Sequence, residues 1–187
     1  MPVSASAAFV SVLLAAGCAS TGAKTVTTDS TSITQTPTPG GTVHIIAYSI
    51  NSDGPKSRAI LTGAIGDFGP AVSVYPNGAI DPDHSSELNL ALTHGSFRLI
   101  IGGLDKKIVS AYRNWPSNAA TCSGSVSVTA ATPIAAGSGT GSYRGITGSL
   151  DVTATIDEVD AKPVCDGTSK FLAQVILIAG SGTVSFG

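Results

Sequence analysis

Charge is what this sequence has least of. Charged side chains make up 12% of its 187 residues, about half the roughly 25% usual in soluble domains. Ten Lys and Arg stand against twelve Asp and Glu, giving a net charge of −2. No stretch gathers the basic residues into a stripe, which argues against a nucleic-acid-binding surface. Aromatic residues are 5%, with a single Trp and a single Met. No G-x-S-x-G nucleophile elbow occurs anywhere. There are three cysteines and three scattered histidines, with no C-x-x-C pair, so neither a metal nor a cofactor is expected. No apolar run reaches the roughly 20 residues of a membrane-spanning helix.

The missing charge is replaced by Ser, Thr and Gly, while 42% of residues remain hydrophobic. That is enough for the core of one domain with appendages. The first appendage is residues 1–17. Its apolar run Ala7–Ala16 suits the h-region of a signal peptide, and it ends in Leu14-Ala-Ala-Gly-Cys18. This resembles a bacterial lipoprotein processing site and points to lipidation of Cys18. Each buried methylene of an acyl chain contributes about 0.8 kcal/mol, so two or more chains would hold the protein on a membrane. An extracytoplasmic, lipid-anchored location is therefore expected. Residues 18–41 are rich in Thr, Ser, Pro and Gly and read as a flexible stalk. A coil of that length spans on the order of 25–30 Å.

From Thr42 to Gly187 the dominant signal is alternation. Val43, Ile45 and Ala47 oppose His44, Ile46 and Tyr48. Leu88, Leu90 and Leu92 oppose Glu87, Asn89 and Thr93. Phe97, Leu99 and Ile101 oppose Ser96 and Arg98, with His94-Gly95 as the hairpin between the two runs. Val126, Val128 and Ala130 oppose Ser125, Ser127 and Thr129, and Leu150, Val152, Ala154 and Ile156 continue the pattern. Runs at Ser57–Gly66 and Gly69–Tyr75, and a last one from Phe171 to Val184, bring the total to about eight. Gly102 to Ala120 is irregular and reads as a loop, and no convincing helix is present. Eight strands of period two predict an all-β antiparallel barrel over residues 42–187. The first and last runs are apolar on both faces. In the last, Phe171, Ala173, Val175 and Leu177 share one face, and Leu172, Ile176 and Ile178 the other. A half-exposed strand has one polar face, so a second subunit is expected to cover these two, making a homo-oligomer.

Gly137-Ser-Gly-Thr-Gly-Ser-Tyr-Arg-Gly-Ile-Thr-Gly148 carries five glycines around one aromatic. It has no lysine for a P-loop, and Arg144 stands where a dinucleotide fingerprint needs its third glycine. A strand pattern follows it, not the helix that would face a phosphate. The stretch reads as a structural corner. Residues Gly139–Gly148 resemble the glycine-rich strand entry of the allene oxide cyclase and dirigent-like barrels, with Gly63-Ala-Ile-Gly-Asp-Phe-Gly69 and Trp115-Pro-Ser-Asn-Ala-Ala-Thr-Cys122 in support. The resemblance covers Thr42–Gly187. It implies an antiparallel eight-stranded barrel, often trimeric in plants, whose characterised members steer cyclisation or radical coupling of small apolar molecules. No catalytic carboxylate of the characterised plant enzymes can be matched to a position in this chain.

With Cys18 acylated, Cys122 and Cys165 remain, and in an exported protein they read as a disulfide. It would close a loop of 43 residues and pin Asp160–Cys165 to the start of the strand at Cys122. Asp81-Pro-Asp-His84 with Glu87 has oxygen ligands at alternate positions but lacks the glycine and further carboxylates of a calcium loop, and it reads as a solvated loop. His44 and His94 read as satisfied strand positions. The weak catalytic candidates are Glu87, Arg98, Tyr143 and Arg144, together with Arg113, as the polar groups best placed to enter a barrel mouth. Glu87 and Arg98 are also readable as an exterior ion pair. The preferred expectation is a barrel that binds a small apolar ligand or a surface partner without turning it over. A cyclase-like isomerase and a structural envelope protein are the alternatives.

Overall fold

Alternating apolar residues give this chain its strands because period two places every second side chain on one face of the pleat. The computed structural model describes residues 40–50, 56–116, 118–166 and 171–187. The expected signal peptide, Cys18 and all of the stalk before Gly40 lie outside the described residues. Eight strands follow in order: β1 (Gly41–Ile50), β2 (Lys56–Gly63), β3 (Asp67–Val74), β4 (Glu87–Leu92), β5 (Gly95–Ile100), β6 (Ser123–Pro133), β7 (Thr147–Asp160) and β8 (Phe171–Ser185). They form one antiparallel sheet in the order β5-β4-β3-β2-β1-β8-β7-β6.

The sheet curls so that its two edge strands approach each other. An antiparallel bridge joins Leu99 to Ile134. Beyond it the segment after β6 runs along β5: Ala135 N–H donates to the Arg98 carbonyl at 2.8 Å, Thr140 N–H to Ser96 at 2.8 Å and Ser142 N–H to His94 at 2.9 Å. This covers the β5 edge, whose open hydrogen-bonding groups would otherwise invite aggregation. The result is an all-β, barrel-like fold filled by Val43, Ile45, Leu61, Leu90, Phe97, Leu99, Leu150 and Val152.

Two departures from the sequence reading follow. The stretch after β5 is not a loop: Gly102–Ala111 is an α-helix, α1, followed by a 3-10 turn over Tyr112–Asn114. Its buried residue is Leu104, and Ile108, one turn later, packs on the core from a half-buried position. The i, i+4 pair was masked by Gly102, Gly103 and two lysines. The helix lies against β6, and the Lys107 ammonium donates to the Thr129 carbonyl at 2.6 Å, so α1 closes the gap between β5 and β6 at the end where the bridge does not reach.

The second departure is in β8. The register shifts at Val159/Asp160, which pair with Ala173 and Phe171. The extra residue, Leu172, puts Phe171 on the cavity side rather than with Val175 and Leu177. The hairpin between β4 and β5 turns on Thr93-His94, and Gly95 is already the first residue of β5, with φ of 150°.

The predicted disulfide is present. Cys122 and Cys165 are joined with Cα atoms 5.3 Å apart, within the ordinary range. Asp160 N–H also donates to the Cys122 carbonyl at 2.8 Å, so the end of β7, the loop after it and the start of β6 are held together. Among the described residues no helix is long and apolar enough to cross a membrane.

Candidate functional site

The two ends of the barrel differ in construction. At one end lie the starts of β1, β3, β5 and β7, and this end is sealed by a polar knot. Asp67, the first residue of β3, is buried. One carboxylate oxygen, Oδ1, accepts from Phe68 N–H (2.7 Å), Thr93 N–H (3.1 Å) and the Thr93 hydroxyl (2.5 Å). The other, Oδ2, accepts from His94 N–H (3.0 Å) and the Tyr143 hydroxyl (2.5 Å), with His94 Nδ1 at 3.1 Å. Burial alone would raise the Asp67 carboxyl, but the donors from Thr93, Tyr143, His94 and Phe68 outweigh it and hold it well below the usual range. Burial and then the Asp67 carboxylate push the Tyr143 hydroxyl up.

The glycine corner exists to deliver Tyr143 to this knot. Gly141 has φ of 55°, and a Cβ there would lie 2.4 Å from the His94 carbonyl oxygen, while one at Gly139 would lie 1.9 Å from the Tyr143 carbonyl oxygen. Only glycine allows both approaches. Tyr143 also meets Phe97 edge to face, with ring centroids 5.4 Å apart.

The opposite end is open. A cavity of about 720 Å³ is walled by β1, β2, β3, β4, α1, β7 and β8. Its apolar lining includes Leu88, Leu104, Ile108, Ile156, Ile176 and Ile178. Polar groups enter from Ser73, His84, Asp105, Tyr112 and Gln174. His84 Nδ1 is 2.8 Å from the Ser73 hydroxyl. Burial and then the Asp81 charge raise the Asp105 carboxyl.

Behind Tyr112 and Gln174 sits a buried acidic pair. Glu158 and Asp160 are 3% and 1% exposed, two residues apart on the inner face of β7. Gln174 Nε2 donates to Glu158 Oε2, and Trp115 Nε1 donates to Asp160 Oδ2 at 2.8 Å. Glu158 Oε1 has no hydrogen-bond partner, and the Asp160 carboxyl acts on Glu158 as its neighbour. Burial, then the neighbouring Asp160, push Glu158 up to about 7, against the lowering effect of Gln174 and Tyr112. Burial and the two carboxylates raise the Tyr112 hydroxyl in turn. A carboxyl titrating near neutrality beside an apolar cavity has the form of a general acid or base.

None of the catalytic candidates read from sequence lines this cavity, although Asp83 and His84 of the Asp81–His84 stretch do. Glu87 and Arg98 do meet, at 2.8 Å, but on the outer face of β4 and β5. Arg98 Nη1 donates to the Pro76 carbonyl at 2.8 Å, and Glu87 Oε2 makes a charge contact without a hydrogen bond. Tyr143 is in the knot at the far end, and Arg144, Arg113 and His44 are exposed. His94 belongs to the Asp67 knot. In the Asp81–Glu87 stretch, Asp81 is buried and its oxygens accept from Asp83, Ser85 and Ser86 N–H, each at 3.0 Å. Burial alone would raise this carboxyl, and these donors lower it. The stretch is thus a loop built around one carboxylate. Among the described residues no group of three or more His, Cys, Asp or Glu could hold a metal ion.

Glu158, Asp160, Tyr112 and Gln174 were not picked out from sequence. One signal was available: in Ile156-Asp-Glu-Val-Asp160 a charge falls on the inward phase of the alternation, at Glu158 and again at Asp160. No protein-family model, no curated protein and no solved structure matches this chain.

Proposed function

We propose that this chain is a binding protein for a small, largely apolar molecule, held in the cavity at the α1 end of the barrel. The observation that carries this reading is the cavity itself. Its volume, about 720 Å³, lies within the roughly 300–1,000 Å³ of ligand sites, and a mostly apolar lining with a few convergent polar groups is the usual composition of one. The chemistry of the N-terminal segment supports placing the protein outside the cytoplasm, anchored to lipid through Cys18. In that setting the Cys122–Cys165 disulfide is stable. The resemblance to allene oxide cyclase and dirigent-like barrels supports the same class of ligand.

A second reading, an isomerase or cyclase of an apolar metabolite, is favoured by one observation. Glu158 is an acid poised near neutral pH, one side chain away from the cavity through Tyr112 and Gln174. Shape would supply most of the effect and Glu158 the proton transfer.

Native mass spectrometry of the full chain tests the first reading. A co-purified molecule of a few hundred daltons, lost in a variant whose cavity is filled by Ile176→Trp, is the expected result. A chain that carries no such molecule and takes up none from a lipid extract contradicts it.

A further inference from the structure

The outer face of the sheet around β1 is apolar in a continuous block. Ile46, Tyr48, Ile60, Phe68, Val175 and Leu177 are each between 45% and 62% exposed. The ladder registers place them side by side. Phe68 pairs with Ile60, Ile60 with Ile46 and Ile46 with Ala179. In the next row Tyr48 pairs with Leu177. Val175 pairs with Ile50 in the row after that. Six large apolar side chains in three adjoining rows form a patch of the kind that soluble monomers rarely leave in water.

The borders of the patch are charged with opposite sign on opposite sides. On the β2 side stand Lys56 and Arg58, both outward; on the β7 side stand Asp151 and Asp157, also outward. Arg58 pairs with Tyr48 and Asp157 with Val175. Continuing the β1–β2 register by two residues sets Lys56 in the same row as Val175 and Asp157.

From this arrangement we infer that the β1–β8 outer face is the docking surface for a second copy of this chain, in an isologous dimer. A two-fold axis running parallel to the strands, between β1 and β8, exchanges β1 with β8 and β2 with β7. Tyr48 then lies on Leu177 of the second copy, and Ile46 on the small Ala179. Lys56 falls opposite Asp157, so the basic border of each copy meets the acidic border of the other. A self-complementary patch is what an isologous contact requires. A lipid surface would reward the apolar rows but would leave Asp151 and Asp157 facing anionic headgroups. The face is convex, which concentrates the contact on the two middle strands. This inference stands apart from the ligand cavity and does not depend on it.

Sedimentation equilibrium of the full chain tests it, with four variants. Leu177→Glu, on an exposed position, is expected to raise the dimer dissociation constant by about tenfold or more, the scale of a central interface residue, with an unchanged thermal melt. Lys56→Asp and Asp157→Lys are each expected to weaken the dimer several-fold, and their combination to restore it. A monomer at all concentrations overturns the inference. So does an oligomer indifferent to Leu177→Glu, or a monomer that sediments with phosphatidylglycerol vesicles through this face.

Discussion

Asp67 and Glu158 are both buried carboxyls, yet their surroundings drive them in opposite directions. Asp67 has four donating residues around it and stays ionised. Removing one donor should therefore be costly: a hydrogen bond to a charged group contributes about 1.5–3 kcal/mol, and Tyr143→Phe is expected to lose that much in urea unfolding. A loss below about 0.5 kcal/mol would mean that the knot is not held by Tyr143. Glu158 has another carboxyl beside it, and its value rises from an ordinary 4.5 to about 7. Between those values the folded chain keeps a proton that the unfolded chain has released. Stability present below pH 4.5 is thus lost as pH rises through about 7. The melting temperature of the native chain should fall between pH 5 and pH 8, and that fall should be smaller in Glu158→Gln. Parallel curves for the two proteins would contradict the assignment. Sequence alone could not separate these residues. Asp67 falls between the runs Ser57–Gly66 and Gly69–Tyr75, and its Thr93 and Tyr143 donors come from 26 and 76 residues away. Glu158 was legible only as a charge on the wrong phase of a strand. Which polar side chains reach the barrel mouth depends on which end of each strand faces it, and composition does not encode that.

At the scale of elements, the strands were legible because their alternation is a local consequence of burial on one side. β4, β5, β6 and β7 contain the runs read from the sequence, except that Thr93 and Ile101 fall just past the ends of β4 and β5. What escaped was α1. Its sequence, Gly-Gly-Leu-Asp-Lys-Lys-Ile-Val-Ser-Ala, has two apolar residues at helical spacing and two glycines at its start, and it forms because the β5–β6 gap offers Leu104 and Ile108 a surface to cover. Tertiary packing of this kind overrides weak propensity. Leu104 is 4% exposed and also lines the cavity, so Leu104→Ala should cost about 2–5 kcal/mol, measured by urea unfolding. A loss under 1 kcal/mol would show that α1 rests on the barrel without closing it. The disulfide acts at the same scale. Closing a 43-residue loop contributes on the order of 4 kcal/mol in the chain-entropy model. Reduction should therefore lower the urea midpoint while leaving the β4–β5 end of the sheet unaffected in hydrogen exchange. Loss of protection across all eight strands would contradict that local role.

For the molecule as a whole, the fold divides labour between its ends. The end that holds the glycine corner is locked by Asp67, Tyr143 and the Thr93-His94 turn. The end that holds α1 keeps a space between apolar walls, with one neutral-range acid behind Tyr112. A barrel closed by a bridge at one end and by a helix at the other can stay rigid while keeping that space open. The central claim is that the space is a binding site for an apolar molecule. Fluorescence titration with 1-N-phenylnaphthylamine, a neutral probe that brightens in apolar surroundings, tests it most directly, in the native chain and in Ile176→Trp. The account predicts saturable binding with one site per chain, weakened at least tenfold by Ile176→Trp, about 1.4 kcal/mol, with no change in the thermal melt. Equal binding by the two proteins, or no saturable binding by the native chain, would contradict it.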